Sequence, residues 1–172
     1  MATIFSHSLV GVTVAALAPA TLRTKRFYFW MALLPIIPDF DSIGFILRIP
    51  YESFWGHRGF THSILFSLLT ALVINIISFR KFTALIFLFL ASVSHPLIDA
   101  LTDGGLGVAL FSPFSNERLF FSHRPIQVSP IGVHFFSQQG LKVMQSEFYW
   151  IALPCLGLLL LNYFRKKKYV TA

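Results

Sequence analysis

The residues able to do acid–base or metal chemistry are six histidines and seven acids, and several recur at short spacings. In Pro38-Asp39-Phe40-Asp41 two aspartates stand two apart, with Pro38 stiffening the approach. In an extended turn both carboxylates point to one side. Charged oxygen donors suit divalent cations, so one aspartate can bind an ion while its neighbour bridges or orients a second ligand. His57 and His62 stand five apart in His57-Arg58-Gly59-Phe60-Thr61-His62-Ser63 and converge if the chain turns at Gly59. Thr61 or Ser63 can cap the helix that follows, and Arg58 beside its positive end can hold a phosphate oxygen. In Ser94-His95-Pro96-Leu97-Ile98-Asp99 the histidine and aspartate are four apart, hence on one helical face. Both can bind one ion, or Asp99 can hold His95 in the required tautomer. Each motif has a plain alternative: a helix end with solvated acids, an interfacial loop, a self-satisfied His–Asp pair. Asp103 offers a weaker carboxylate on a glycine turn. His123, His134, Glu52, Glu117 and Glu147 have no partnering pattern and read as surface residues.

The elements that must position these groups follow from composition. Of 172 residues, 55% are apolar and only 12% charged, against roughly 25% charged in a typical soluble chain. Twenty phenylalanines and a mean hydropathy of +0.69 leave too few polar residues for a water-facing skin, so lipid must solvate much of the surface. Disorder is excluded on the same ground. The net charge of +7 comes from short basic clusters between apolar runs, which is the pattern of membrane loops and not of a nucleic-acid surface. The single cysteine, Cys155, lies in an apolar run and excludes an intrachain disulfide framework.

A helix crossing a bilayer needs about 20 mostly apolar residues. Five segments near that length are expected to span: 4–22, 27–43, 62–79, 82–101 and 148–164. The second contains Pro35 and Pro38 and can end near Ile37. The chain is thus expected to be an all-α polytopic membrane protein, one domain over residues 1–172, with a long irregular outer loop over 102–147. Residues 1–22 carry no Lys or Arg, so the first segment reads as a retained span and not a secretory signal, and His7 stays with the protein. Arg23, Lys25 and Arg26, then Arg80 and Lys81, then Arg165 to Lys168 fall on one side of a five-span chain. The positive-inside rule puts that side in the cytoplasm and the amino terminus outside the inner membrane. All the histidines and acids then fall on the outer half or in the outer loops, although basic residues and apolar runs alone defined the map.

Seven candidate donors, His7, Asp39, Asp41, His57, His62, His95 and Asp99, exceed the needs of one tetrahedral ion, so one or two ions are expected. Histidine with carboxylate favours zinc, with manganese or iron next, and the lack of thiolates argues against a closed structural zinc site. Paired ions activate water for displacement at phosphorus or carbonyl carbon, which makes hydrolysis the default reaction. A site at the outer membrane boundary suits a lipid-like substrate with its polar head at the surface. In this reading Asp41 is the bridging ligand or general base and Arg58 the anion stabiliser. An ion transporter is the first rival, because intramembrane His and Asp mark ion paths; it also calls for such groups in the inner half, which has none. A non-catalytic scaffold tied together by metal is the second. An intramembrane metalloprotease lacks support, since no His-Glu-x-x-His occurs.

Taken together, His7, Pro-Asp-x-Asp at 38–41, His-Arg-Gly-x-Thr-His-Ser at 57–63 and Ser-His-x-x-x-Asp at 94–99 resemble the YdjM-like family of bacterial inner-membrane proteins. Ser112-Pro113-Phe114-Ser115, Arg124-Pro125-Ile126 and Val128-Ser129-Pro130 extend the likeness over nearly the whole chain. Members are described as LexA-regulated, membrane-bound, metal-dependent hydrolases, which implies a link to the SOS response. The family's order of His and Asp donors is similar to that of zinc-dependent phospholipase C and P1-type nucleases, and this implies phosphoester hydrolysis. This chain departs from those soluble enzymes in lacking their processed amino-terminal tryptophan.

Overall fold

The computed structural model describes residues 1–130 and 132–170, and the regular structure among them is helical. The α-helices are α1 (Ile4–Leu17), α2 (Lys25–Leu33), α3 (Ile43–Ile46), α4 (Ile64–Ser78), α5 (Phe82–Ala100), α6 (Gln138–Glu147) and α7 (Leu153–Val170). Isolated bridges, Thr102 to Ile126 and Val108 to Leu119, pin the long loop after α5 without making a strand.

Side chains and prolines fix the helix boundaries. The Thr24 hydroxyl accepts the Phe27 N–H at 3.2 Å to start α2, and the Ser63 hydroxyl accepts the Phe66 N–H at 3.0 Å to start α4. Pro19 disfavours helical backbone at Ala18 and ends α1. Beyond Leu33 the chain cannot stay α-helical, because Pro35 and Pro38 supply no N–H; it continues as a 3-10 helix over Leu34–Ser42. The α4–α5 hairpin turns at Arg80 (φ 53°), where Asn75 gathers the backbone N–H groups of Phe79 and Arg80 on its carbonyl oxygen and that of Lys81 on its side chain.

Among the described residues, three helical stretches are long and apolar enough to cross a membrane: Lys25–Ile46, Phe82–Ala100 and Gln138–Lys167. The second expected span therefore runs on past Ile37 by changing helix type. The first and third are shorter than expected, 14 residues in α1 and 15 in α4, or about 21–23 Å of helix. The last begins earlier, with α6 joined to α7 through a π turn at Phe148–Ala152, just before Pro154 withdraws its N–H from the ladder.

α4 shows the inside-out pattern of a lipid-facing bundle. Ser63, Ser67, Ala71 and Asn75, four apart, are buried, whereas Leu68, Leu72 and Ile76 face outward. The inner faces of α1, α2, α4 and α5 close on Ala15, Phe27, Met31, Leu34, Ala71, Ala84, Leu88 and Ala91. The basic loops gather at one end of this core, as the sequence implies: Arg26 donates to the Ser78 hydroxyl at 3.1 Å and lies over the Phe79 ring, and Arg165 shares a cavity with Leu17.

Candidate metal centre

At the opposite end, four segments bring their ionisable side chains together. The 3-10 helix supplies Asp39, the turn before α4 supplies His62, the last two turns of α5 supply His95 and Asp99, and the first turn of α1 supplies His7. One donor atom each from Asp39, His62, His95 and Asp99 lies within 4.8 Å of the others, and all four residues are buried. His62 Nε2 is 2.9 Å from His95 Nε2, 3.6 Å from Asp39 Oδ1 and 3.8 Å from Asp99 Oδ2, and His95 Nε2 is 3.5 Å from Asp39 Oδ1. Ligands about 2.0–2.2 Å from a tetrahedral zinc stand about 3.3–3.5 Å from one another, so these separations bracket the required ones. His7 stands beside the four, its ring stacked on His95 at 3.9 Å and its Nε2 3.5 Å from Asp99 Oδ1.

The tautomers are set from behind. His95 Nδ1 donates to the Pro35 carbonyl at 2.6 Å, leaving the Nε2 lone pair to face the cluster. That carbonyl is free because its 3-10 partner three residues on would be Pro38, which has no N–H. His62 Nδ1 donates to Thr61 Oγ1 at 3.2 Å, whose own proton goes to Asp41, and stands 3.1 Å from Asp41 Oδ2, so its Nε2 also faces inward. Two nitrogen lone pairs 2.9 Å apart repel unless a cation or a proton lies between them. Both Asp39 oxygens and both His7 ring nitrogens are buried without a hydrogen-bond partner among the described residues. Each such group costs about 1–3 kcal/mol. A divalent cation would satisfy the orphaned oxygens and the facing lone pairs at once, so the donor set fits a metal.

Asp41 takes a different place from its neighbour. In a 3-10 helix residues two apart point about 120° away from each other, so the two carboxylates do not share a side as an extended turn would have them. Asp41 stands behind His62 and accepts His57 Nδ1 at 2.6 Å, Thr61 Oγ1 at 2.5 Å and the Arg58 N–H at 3.2 Å. His57 and His62 therefore both meet this carboxylate. Asp41, His57 and His62 still form a second three-donor group contiguous with the first.

Arg58 is fully buried, and its guanidinium is held by the protein: Nε by Asp99 Oδ2 at 3.0 Å, Nη2 by Thr102 Oγ1 at 2.9 Å, Nη1 by the Gly104 carbonyl at 2.8 Å. Gly105 (φ 89°) lies so close that a Cβ there would come within 2.8 Å of Nη1. Arg58 thus braces Asp99. Arg118, which carries no sequence signal, pins the His57 loop through the His57 and Tyr51 carbonyls at 2.9 and 2.7 Å. Burial pushes up the pKa of the Tyr51 phenol, whose ring meets His57 edge-on. Asp103 is spent on the Val128 N–H at 2.8 Å. His123, His134, Glu52 and Glu117 are exposed as expected, but Glu147 is buried, at 5% exposure, and takes its hydrogen bonds from α1. Thr61 lies inside the motif at 57–63 and was within reach of sequence reasoning. The Pro35 carbonyl, Thr102 and Glu147 were not, because their partners are distant in the chain.

A family model described as YdjM inner membrane protein matches residues 1–169. The inner membrane protein YbcI of Escherichia coli (strain K12) is 33% identical over 168 aligned residues, covering 94% of this chain and 96% of that protein. No solved structure matches.

Proposed function

We propose metal-dependent hydrolysis as the activity of this chain, which belongs to the YdjM family of inner membrane proteins. The observation that carries the reading is the pair of Nε2 atoms of His62 and His95, turned toward each other by oxygen acceptors on their far nitrogens and facing the unpartnered Asp39 carboxylate. Asp39, His62, His95 and Asp99 would hold a divalent ion, zinc before manganese or iron, with His7 as a further donor. Such an ion supplies Lewis acidity toward a phosphoryl or carbonyl oxygen and acidifies water. The chain's own part is to orient His62 through Asp41 and His95 through Pro35, to brace Asp99 through Arg58, and to keep the donors out of bulk water. A second ion at the Asp41, His57 and His62 group would require His62 to give up its Nδ1 proton and bridge the two ions as imidazolate.

The substrate class is a lipid-like phosphoester. An apolar cavity of about 240 Å³ adjoins the centre, lined by Ala2, Phe5, Ser42, Pro130 and Phe135 among others, and the Ala2 N–H in its wall donates to Asp99. The cluster lies at the end away from the basic loops, which under the positive-inside rule is the outer face. Burial of the donors at 5% exposure or less favours one second reading, a metal that only ties the helices together.

Elemental analysis of detergent-purified protein, wild type beside His62→Ala and Asp99→Ala, tests the site. Stoichiometric divalent metal in the wild type and loss in both variants is expected; a metal-free wild type under metal-replete conditions ends the reading. Release of a phosphorylated headgroup from phospholipid by the metal-loaded protein separates hydrolase from scaffold.

A further inference from the structure

We propose that Glu147 is a positioning residue that sets His7 in place at the metal centre, an inference that rests on the metal reading above. Glu147 is the last residue of α6, far from the centre in sequence, and its carboxylate reaches the start of α1. Oε1 accepts the Thr3 N–H at 2.5 Å, and Oε2 accepts the Thr3 and Ser6 hydroxyls at 2.6 and 2.7 Å. A buried carboxylate is costly unless such donors surround it, and the amino end of a helix supplies both free N–H groups and the positive end of the dipole. On its other flank the same turn is tied to the centre itself, where the Ala2 N–H donates to Asp99 Oδ1 at 2.9 Å. The first turn of α1 is therefore gripped between two carboxylates, one belonging to the cluster and one to α6.

His7 follows one turn later, its N–H bonded to the Thr3 carbonyl at 3.1 Å, so the setting of Thr3 fixes that of His7. Each residue of helix turns about 100° and rises about 1.5 Å, and a slip of even a fraction of that would carry the imidazole off the cluster. Within the site the ring's direction rests on its stacking on His95 and the 3.5 Å approach of Nε2 to Asp99 Oδ1, and neither ring nitrogen makes a hydrogen bond that would lock it. The grip on Thr3 and Ser6 keeps His7 Nε2 aimed at the Asp99 side of the site.

The test uses Co²⁺ as the probe, with the full chain in detergent, reading both affinity and the visible bands that report the ligand set. Glu147→Ala is expected to bind Co²⁺ about tenfold more weakly and to shift the bands to those of His7→Ala. Glu147→Gln, which keeps one acceptor oxygen, is expected to recover part of the affinity. Thr3→Val with Ser6→Ala, which removes the hydroxyls from the other side, is expected to reproduce the shift and to add little when combined with Glu147→Ala. If Glu147→Ala does not fold, by circular dichroism, the Gln variant and the hydroxyl pair carry the test. Wild-type affinity and bands in these variants, or weaker binding with unshifted bands, overturn the proposal and leave the metal reading standing. A wild type that binds no Co²⁺ removes both.

Discussion

Where α1, α2, α4 and α5 cross near Leu88, they meet through Ala15, Phe27, Met31, Ala71, Ala84 and Ala91. At the other end of the bundle, α1, α5 and the loops around them bury His7, His62, His95, Asp99 and Arg58 instead. Backbone approach at the first region is close: a Cβ on Gly11 would fall 1.9 Å from the Met31 carbonyl oxygen. Small residues let helices touch and gain dispersion contacts, a low-risk way to assemble a bundle in lipid. The second region has little of that. It coheres through hydrogen bonds, ion pairs and, in our reading, an ion. The contrast teaches that the alanine-rich region can hold the helices while the polar region carries groups that destabilise the fold unless paired.

That division can be broken experimentally. Asp99→Ala should have the largest effect, because it strips the centre of a ligand and leaves Arg58 buried without its carboxylate, at a cost of about 3–5 kcal/mol. Thermal unfolding in detergent should show the loss, and elemental analysis the missing metal. Leu88→Ala cuts into the other region and should cost about 2–5 kcal/mol with metal stoichiometry intact; a variant that lost its metal as well would show that the two regions do not act separately. Chelation should lower the unfolding temperature of the wild type and leave that of His62→Ala unchanged, and equal shifts in both would place the metal elsewhere. Asp41→Asn keeps the shape but weakens the hold on His62, so affinity should fall about 10–100-fold with helical content unchanged in circular dichroism. Pro38→Ala is the mildest: the restored N–H can compete for the Pro35 carbonyl, and a loss in affinity of less than about tenfold is expected in the same titration.

Much of the site was legible because helical periodicity is local. His95 and Asp99, four apart, had to share a face of α5, and they do. The basic clusters at 23–26 and 80–81 had to lie together, and Arg26 reaches Ser78 beside them. The aspartates at 39 and 41 were harder, because their relation depends on whether the chain is extended or wound. Two prolines impose a 3-10 winding that turns one carboxylate into the cluster and the other behind His62. The sequence reads Arg58 as an anion stabiliser beside the start of α4, whereas in the fold its guanidinium lies buried against Asp99, on a residue with left-handed backbone (φ 62°). Glu147 resembled any interfacial acid until α6 set it against the start of α1.

The amino-acid sequence by itself determined the solvent, the helical class, the basic loops that share one end and the set of residues able to bind a cation, since composition and short-range spacing govern all of these. Only the tertiary structure decided which of those residues meet and which atom of each faces the others. Contacts such as His95 to Pro35, Arg58 to Thr102 and Glu147 to Thr3 join segments far apart in the chain. They depend on how closely helices pack and on which carbonyls the prolines release, quantities that no single stretch of sequence contains.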